Sequence, residues 1–250
     1  MTTPQDQNIS GDTSFNQTAL QLVTDSLQLL GVVGSNETPN SGDLSFCYNI
    51  LNKMIKAWQA QGIHLFTEAE ATLPLTSNVG IYALSATGVE QSTYPELTTL
   101  GRPLNIQSLR YFTYQGSEVR IKKMGRAEFM AMPFKAASGP STAYFFSPQD
   151  TYALLYLWPI PDNSLDTLTI SYTRVINSID TGSNTLDLPV EWLEALTYNL
   201  SVKIAPAFGL SLSKVNPDLI QMAQTSLLEM RSWDSEEGSV FIVPDYRWDQ

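Results

Sequence analysis

Apolar residues recur at helical spacing near both ends of the chain and alternate with polar residues in its middle. Residues 14–62 carry two apolar stripes that repeat every three or four positions, and residues 189–233 carry two more. Residues 66–187 instead show short alternating runs between turn-forming residues, which is typical of strands. The pattern predicts an α+β protein, an antiparallel helical bundle of about four helices interrupted by an inserted antiparallel β domain.

Capping residues and prolines indicate where the helices begin and end. Residues 14–17 (SFNQ) have the spacing of a capping box, which predicts the start of the first helix. Pro189 suits the first position of the third helix, and Pro206 should kink or end that helix because it lacks an amide hydrogen. Asn216 is expected to cap the fourth helix, although Ser213 offers an earlier start.

Strand pairing in the middle of the chain follows from turn residues and from chain entropy. Residues 109–114 and 119–122 flank a glycine turn and predict a hairpin. Closing residues 66–187 as an unfolded loop would cost on the order of 4 kcal/mol. A folded insert whose ends lie side by side removes most of that cost. We therefore expect the strand near 69–75 to pair with the strand near 167–175.

The predicted elements divide the chain into four parts. They are a flexible N-terminal arm (1–13), a helical bundle domain (14–65 with 188–234), an inserted β-rich domain (66–187) and a C-terminal extension (235–250). A helical core of about 80 residues rarely supplies more than about 3–5 kcal/mol. Contacts between subunits are therefore expected to stabilise the helical part.

The charge argues against tight nucleic-acid binding. The chain has 14 basic and 25 acidic residues and a net charge of −11, divided as −3 for residues 1–65, −3 for 66–187 and −5 for 188–250. Affinity for nucleic acid comes mainly from clustered lysine and arginine, so this chain should repel DNA on average. Its polar N-terminus and the lack of a long apolar run predict neither a signal peptide nor a membrane span.

Few residues offer catalytic or metal-binding chemistry. Cys47 and His64 are the only cysteine and histidine; we interpret the first as a core residue and the second as a structural residue at a domain junction. A zinc site would need more such ligands. Residues 162–166 (DNSLD) come nearest to a calcium loop and are interpreted as a turn. We predict no catalytic residue, no metal site and no cofactor, and hence no enzyme.

An alternative hypothesis is a carbohydrate-binding or carbohydrate-cleaving module. Its carboxylates would be the pairs Glu68 with Glu70 and Glu191 with Glu194, which are better explained as a solvated strand face and as partners of a helix dipole. Its aromatic residues alternate with apolar ones, which favours core packing over a sugar platform. These aromatic residues are Tyr144, Tyr152, Tyr156 and Trp158.

One basic cluster is a candidate contact site. It consists of Arg120, Lys122, Lys123 and Arg126. One interpretation is an exposed face whose charge is offset by Glu118 and Glu128. The other is a contact with an acidic neighbour or a brief contact with a phosphate.

The C-terminal tail is a second candidate contact site, because it is unusually apolar for a chain end. The residues alone leave two interpretations equal: the tail folds back over its own domain, or it docks on a partner, for example as an added strand before Pro244. The candidate docking residues are Val240, Phe241, Ile242, Val243, Tyr246 and Trp248.

Over residues 14–233 the chain resembles the head-to-tail adaptor (neck ring, or head completion) proteins of short-tailed double-stranded DNA bacteriophages. The resemblance is carried by ALQLVTDSLQLLGVVGS, MIKAWQAQGIHLF and LPVEWLEALTYNLSVKIAPAFGLSLS. The run AYFFSPQDTYALLYLWPIPDNSLDTLTISYTRVI is similar to the β insert of longer members.

The resemblance implies a structural protein of the virion neck or tail, assembled in the host cytoplasm. It implies a ring of twelve copies that contacts the portal protein and the tail tube or nozzle protein, with double-stranded DNA passing through without sequence-specific binding. It also implies that the C-terminal extension docks on the portal. Twelve copies at −11 would carry −132 formal charges, which would repel phosphate and let DNA slide.

Overall fold

The computed structural model describes residues 15–62, 67–85, 96–97, 101–211 and 213–233. The chain divides into two compact units, Met1–Leu65 with Ser178–Gln250, and Phe66–Asn177. The first unit contains helices and the second contains both sheets, so the α+β class is confirmed. Residues 178–187 belong to the helical unit, whereas the sequence suggested that the second segment of this unit begins at residue 188.

The described elements are five α-helices, a 3-10 helix and nine strands. The helices are α1 Ala19–Leu29, α2 Ser41–Ala60, α3 Arg126–Met130, α4 Trp192–Ile204 and α5 Pro217–Trp233, with the 3-10 helix Ala205–Phe208 after α4. The strands are β1 Glu68–Pro74, β2 Ile81–Leu84, β3 Glu96–Leu97, β4 Asn105–Phe112, β5 Glu118–Arg120, β6 Lys122–Lys123, β7 Ala143–Pro148, β8 Ala153–Trp158 and β9 Thr167–Thr173.

Helix α1 begins four residues later than the sequence predicted. Thr18 is its N-cap, and Thr18 and Gln21 form the reciprocal capping box that was expected at residues 14–17. The Gln17 side chain instead donates to Asp25 Oδ2 at 2.9 Å. Thr18 is favoured over Ser14 as the N-cap because the next two amides of α1 also have acceptors. The amides of Ala19 and Leu20 donate to the carbonyls of Asn184 and Gly182, each at 3.0 Å.

The boundaries of α4 and α5 match the sequence except at the first residue of α4. Pro189 lies in a turn before the helix, and the Trp192 amide closes that turn by donating to its carbonyl at 3.1 Å. The predicted effect of Pro206 is confirmed, because α4 passes into the 3-10 helix one residue earlier. The predicted cap of α5 is confirmed as well, with Asn216 Oδ1 accepting from the Asp218 amide at 3.0 Å.

Helix α4 is the centre of the helical unit and contacts α1, α2 and α5. Its Trp192 ring lies 5.9 Å from the ring of Trp58 on α2, measured between ring centroids. Against α1 the contact is made by small residues, with Ser201 and Ser26 both fully buried. The apolar stripes that the sequence predicted for α1, α2 and α4 supply most of the remaining core.

The second unit contains two sheets that share one core. The four-stranded sheet has the order β1-β9-β4-β5 and the five-stranded sheet has the order β3-β2-β8-β7-β6. Apolar residues of both sheets join in one buried cluster, for example Leu73 and Ile170 from the first sheet with Leu84 and Leu155 from the second. Each sheet buries one face against the other sheet, which accounts for the alternation of apolar and polar residues along the strands.

Two predicted strand pairings are confirmed. Strand β1 runs antiparallel to β9, with Glu68 opposite Thr173 and Pro74 opposite Thr167. Strands β4 and β5 form the predicted hairpin around Gly116, whose φ is +85°. The β-rich segment is not antiparallel throughout, because the outer pairs β2–β3 and β6–β7 are parallel. Both parallel partners are two-residue strands at a sheet edge.

Candidate interaction surfaces

The single cysteine belongs to the core. Cys47 is buried on α2, and burial, together with the charge of Asp43, raises its pKa to about 11. A protonated, inaccessible thiol is a poor nucleophile. His64 lies outside the described residues. Within the described part of the chain, no group of three histidine, cysteine, aspartate or glutamate residues is placed to hold a metal ion. None of the described helices has both the length and the apolar character of a membrane span.

Residues 162–166 form a turn, as predicted. The Leu165 amide donates to Asn163 Oδ1 at 2.8 Å, an Asx-type contact. Asp166 points inward: Oδ2 accepts from the Tyr111 hydroxyl at 2.6 Å, and Oδ1 accepts from the Tyr114 amide at 2.9 Å. The carboxylate therefore stabilises the turn and the end of β4.

The two carboxylate pairs of the carbohydrate hypothesis belong to different units of the chain. Glu68 and Glu70 are exposed on β1, an edge strand of the β unit, whereas Glu191 and Glu194 belong to the start of α4 in the helical unit.

The aromatic side chains pack against other apolar groups. Tyr144 is buried in the shared core of the two sheets. Tyr156 packs against Phe129 and Phe145, with ring centroids 5.3 and 5.5 Å apart. Trp158 joins the same apolar cluster and donates its ring N–H to the Phe134 carbonyl at 3.0 Å. This packing is the arrangement that the alternation with apolar residues favoured.

The basic cluster lies where the chain passes from one sheet to the other. Arg120 ends β5, Lys122 and Lys123 form β6, and Arg126 begins α3; all four side chains are exposed. The residue between the two strands, Ile121, is buried and anchors the crossing. The structure therefore places all four predicted basic residues on one short exposed path.

Only part of the charge of the cluster is offset within the described chain. Lys122 pairs with Glu128 at 3.1 Å, as the offset interpretation requires. Glu118 instead pairs with Arg110, also at 3.1 Å. Lys123 donates to the neutral Asn105 side chain at 2.9 Å. The charge near residues 120–126 thus stays positive in an otherwise acidic protein.

A recess of about 400 Å³ opens beside the basic cluster. Strand β4 has a β-bulge between Ile106 and Ser108, next to residues that line the recess. The lining residues of the recess are Gln107, Ser108, Arg120, Ile121, Lys122, Lys123 and Tyr144. Burial raises the pKa of Tyr144 to about 12, and the nearby positive charge of Arg120 opposes this rise. The phenol is therefore neutral at physiological pH, and the recess is cationic.

A second surface, the acidic groove, lies between α4 and α5. It has a volume of about 450 Å³ and includes the carboxylates Glu194, Asp218 and Glu229. Met222 lies among them with half of its surface exposed. The sequence predicts an apolar stripe on α5, whereas this outer face was not predicted. The spacing of Asp218, Met222 and Glu229 could have indicated this face, because it places the three residues on one side of a helix.

A third surface, the apolar groove, lies between α1 and α4 and has a volume of about 510 Å³. Exposed Phe15 and Leu29 line it together with Leu193. Tyr198 borders both helical grooves, and burial with the nearby Glu194 carboxylate raises its pKa. Helix α4 thus has a groove on each side.

The predicted docking tail lies outside the described residues, so its six candidate positions, Val240, Phe241, Ile242, Val243, Tyr246 and Trp248, stay a prediction.

Residues 17–243 match the model of the family described as SU10 adaptor protein. No curated protein matches the chain.

Proposed function

The chain belongs to the SU10 adaptor protein family, and on that premise we propose that it forms a ring between the portal and the tail tube or nozzle of a short-tailed double-stranded DNA phage. Family membership makes it a structural phage adaptor and a virion component. The proposed ring has twelve copies, assembles in the host cytoplasm and encloses a channel for the genome. The observation that carries the proposal is the match over residues 17–243.

The fold is compatible with the adaptor architecture expected from the sequence. We interpret the helical unit as one bundle, because α4 contacts both α1 and α2 from the other end of the chain. We interpret residues 66–177 as a domain inserted into it. The antiparallel pairing of β1 with β9 supports this interpretation, since it holds the first and last strands of the insert side by side.

The charge supports passage of DNA and not its retention. A net charge of −11 per copy gives a ring a strongly negative field. Such a field opposes condensation of the phosphate backbone onto the wall of a channel. We therefore propose that the genome contacts the ring without sequence-specific binding.

The surfaces of the helical unit support assembly with neighbours. Two grooves flank α4, and exposed apolar residues such as Phe15, Leu29 and Met222 line them. Exposed apolar side chains that gather in grooves often mark protein–protein contacts. No catalytic role is proposed, because the Glu68–Glu70 pair lies exposed on an edge strand.

Electron microscopy of the purified protein mixed with portal rings tests the proposal. The expected result is a second ring stacked on one face of the portal, with a continuous central channel. The adaptor alone and the portal alone serve as controls. Portal rings that stay bare at saturating adaptor concentration would refute the proposed role.

A further inference from the structure

We propose that the basic cluster of one copy docks on the acidic groove of the next copy. This inference rests on the proposed ring and names the surfaces that hold it together. The basic cluster is Arg120, Lys122, Lys123 and Arg126, and the acidic groove is the α4–α5 surface with Glu194, Asp218 and Glu229.

The cluster has too much positive charge to be explained by its own surroundings. Four of the 14 basic residues of the chain fall within residues 120–126. Glu128 pairs with Lys122, but Glu118 is engaged by Arg110. Among the described residues, no carboxylate forms an ion pair with Arg120 or Arg126. An exposed cationic path of this kind favours an acidic partner.

The acidic groove has the opposite imbalance. Neither Asp218 nor Glu229 takes part in an ion pair within the described part of the chain. Among the described residues, no lysine or arginine lines the groove. The surfaces are therefore complementary in charge, which contributes to specificity and to the rate of association.

The two surfaces also have comparable lengths. Asp218, Met222 and Glu229 follow one side of α5 over about 16 Å, given a rise of 1.5 Å per residue. Residues 120–123 extend over about 10 Å at the rise of a strand, and Arg126 lengthens the cationic path. Met222 can supply an apolar contact between the flanking charges.

A contact between two different surfaces generates a ring. The basic cluster belongs to the β unit and the acidic groove to the helical unit, so each copy presents one of each. Head-to-tail contacts of this kind close into a ring when the rotation between copies permits. Because like copies would otherwise repel each other at −11 apiece, a local pair of opposite surfaces also fixes which faces meet.

The first test identifies the contacts directly in the unaltered protein. Copies grown with 14N and with 15N are mixed, assembled with portal rings, and treated with a carbodiimide, which joins lysines to carboxylates without a spacer. We expect mixed-isotope peptides linking Lys122 or Lys123 to Asp218 or Glu229. Links confined to one isotope, or mixed links only between other residues, would overturn the inference.

The second test uses charge reversal. K122E/K123E and D218K/E229K should each raise the protein concentration at half-assembly by at least about tenfold. An equimolar mixture of the two variants should assemble again, because each reversed surface then meets its complement. K53E/K214E and E68K/E70K change the same numbers of exposed charges elsewhere and should assemble normally. Circular dichroism checks that every variant is folded.

The outcomes separate this inference from the proposed function. If the wild type fails to assemble with or without portal rings, the ring itself is wrong and the inference falls with it. If the wild type assembles and both reversals assemble equally well, only the inference is wrong. If K122E/K123E forms normal rings but alters retention of DNA, the cluster contacts phosphate and the acidic groove is not its partner.

Discussion

The hydroxyl of Ser201 on α4 donates a hydrogen bond to the main-chain carbonyl of Ser26 on α1, at 3.0 Å. Both serines are 0% exposed, and the Ser26 hydroxyl lies 3.2 Å from the Thr197 carbonyl. Small side chains at this crossing allow the two helices to approach closely. Residues 175 positions apart thus join the first and last parts of the helical unit.

Enlarging Ser201 should destabilise the protein. Ser201→Leu places a branched side chain in a filled crossing and is expected to lower the free energy of unfolding by about 1–3 kcal/mol. Ser201→Ala should cost about 1 kcal/mol through its lost hydrogen bonds. Urea denaturation measures both. The exposed Ser45→Leu on α2 is the control and should change stability by less than about 0.5 kcal/mol. Equal effects at positions 45 and 201 would contradict the close crossing.

Gly182 should not tolerate a side chain. A Cβ there would lie 2.5 Å from Tyr48 Oη and 3.1 Å from Leu20 Cβ, so Gly182→Ala is expected to destabilise the protein by about 1–3 kcal/mol. Tyr48→Phe removes the clashing oxygen and should recover part of that loss in the double variant. Gly125→Ala, where a Cβ meets nothing within 4 Å, is the matched control. Thermal denaturation of the four variants tests whether the effects are coupled.

The Tyr111–Asp166 hydrogen bond should stabilise the β unit. The two residues are 1% and 4% exposed. Tyr111→Phe removes the hydroxyl that donates to Asp166 Oδ2. The free energy of unfolding is expected to fall by about 1–3 kcal/mol. Tyr114→Phe is the control, because that side chain is exposed and its hydroxyl accepts a hydrogen bond from the exposed Gln115 side chain. If the two phenylalanine variants unfold at the same urea concentration, the buried bond contributes no net stability.

Stability should fall at alkaline pH partly through Cys47. Burial raises the pKa of its thiol from 9.0 to about 11. Below the ordinary pKa the thiol is protonated in both the folded and the unfolded chain, so its contribution to stability is fully present there. As the pH rises toward 11, the unfolded chain loses its proton first and unfolding becomes easier, by up to about 2 kcal/mol.

The test compares the wild type with Cys47→Ala by urea denaturation between about pH 8 and pH 10.5. Buried tyrosines add to the loss in both proteins, since burial also raises the pKa of Tyr82 and Tyr172. The wild type is therefore expected to lose more stability over this range than the variant. Parallel pH profiles would show that the thiol does not contribute.

Removal of residues 239–250 should abolish portal binding and leave the melting temperature unchanged. The deletion removes the six apolar candidates of the tail but spares the acidic stretch before it. Co-sedimentation with portal rings measures the binding. A full-length variant with Val240, Phe241 and Ile242 replaced by serine tests whether apolar contacts are responsible. Portal binding by the truncated protein at wild-type strength would show that the tail does not dock there.

The sequence alone was sufficient where local chemistry decides the outcome. The end of α4 before Pro206 and the cap at Asn216 follow from the bonding capacity of single residues. The β1–β9 pairing followed from the entropy of closing a long segment. The exposed basic residues 120–126 could also be found, because charged side chains seldom lie buried.

Only the tertiary structure decided the features whose partners are distant in the chain. The start of α1 moved to Thr18 because the carbonyls of Gly182 and Asn184 accept its next amides. Ser26 and Ser201 are polar in the sequence and become core because two helices cross there. The acidic groove likewise needs α4 beside α5. The spacing of residues along the chain shows which groups can form hydrogen bonds and which side of a helix or strand they occupy. Which distant group becomes the partner depends on packing in three dimensions.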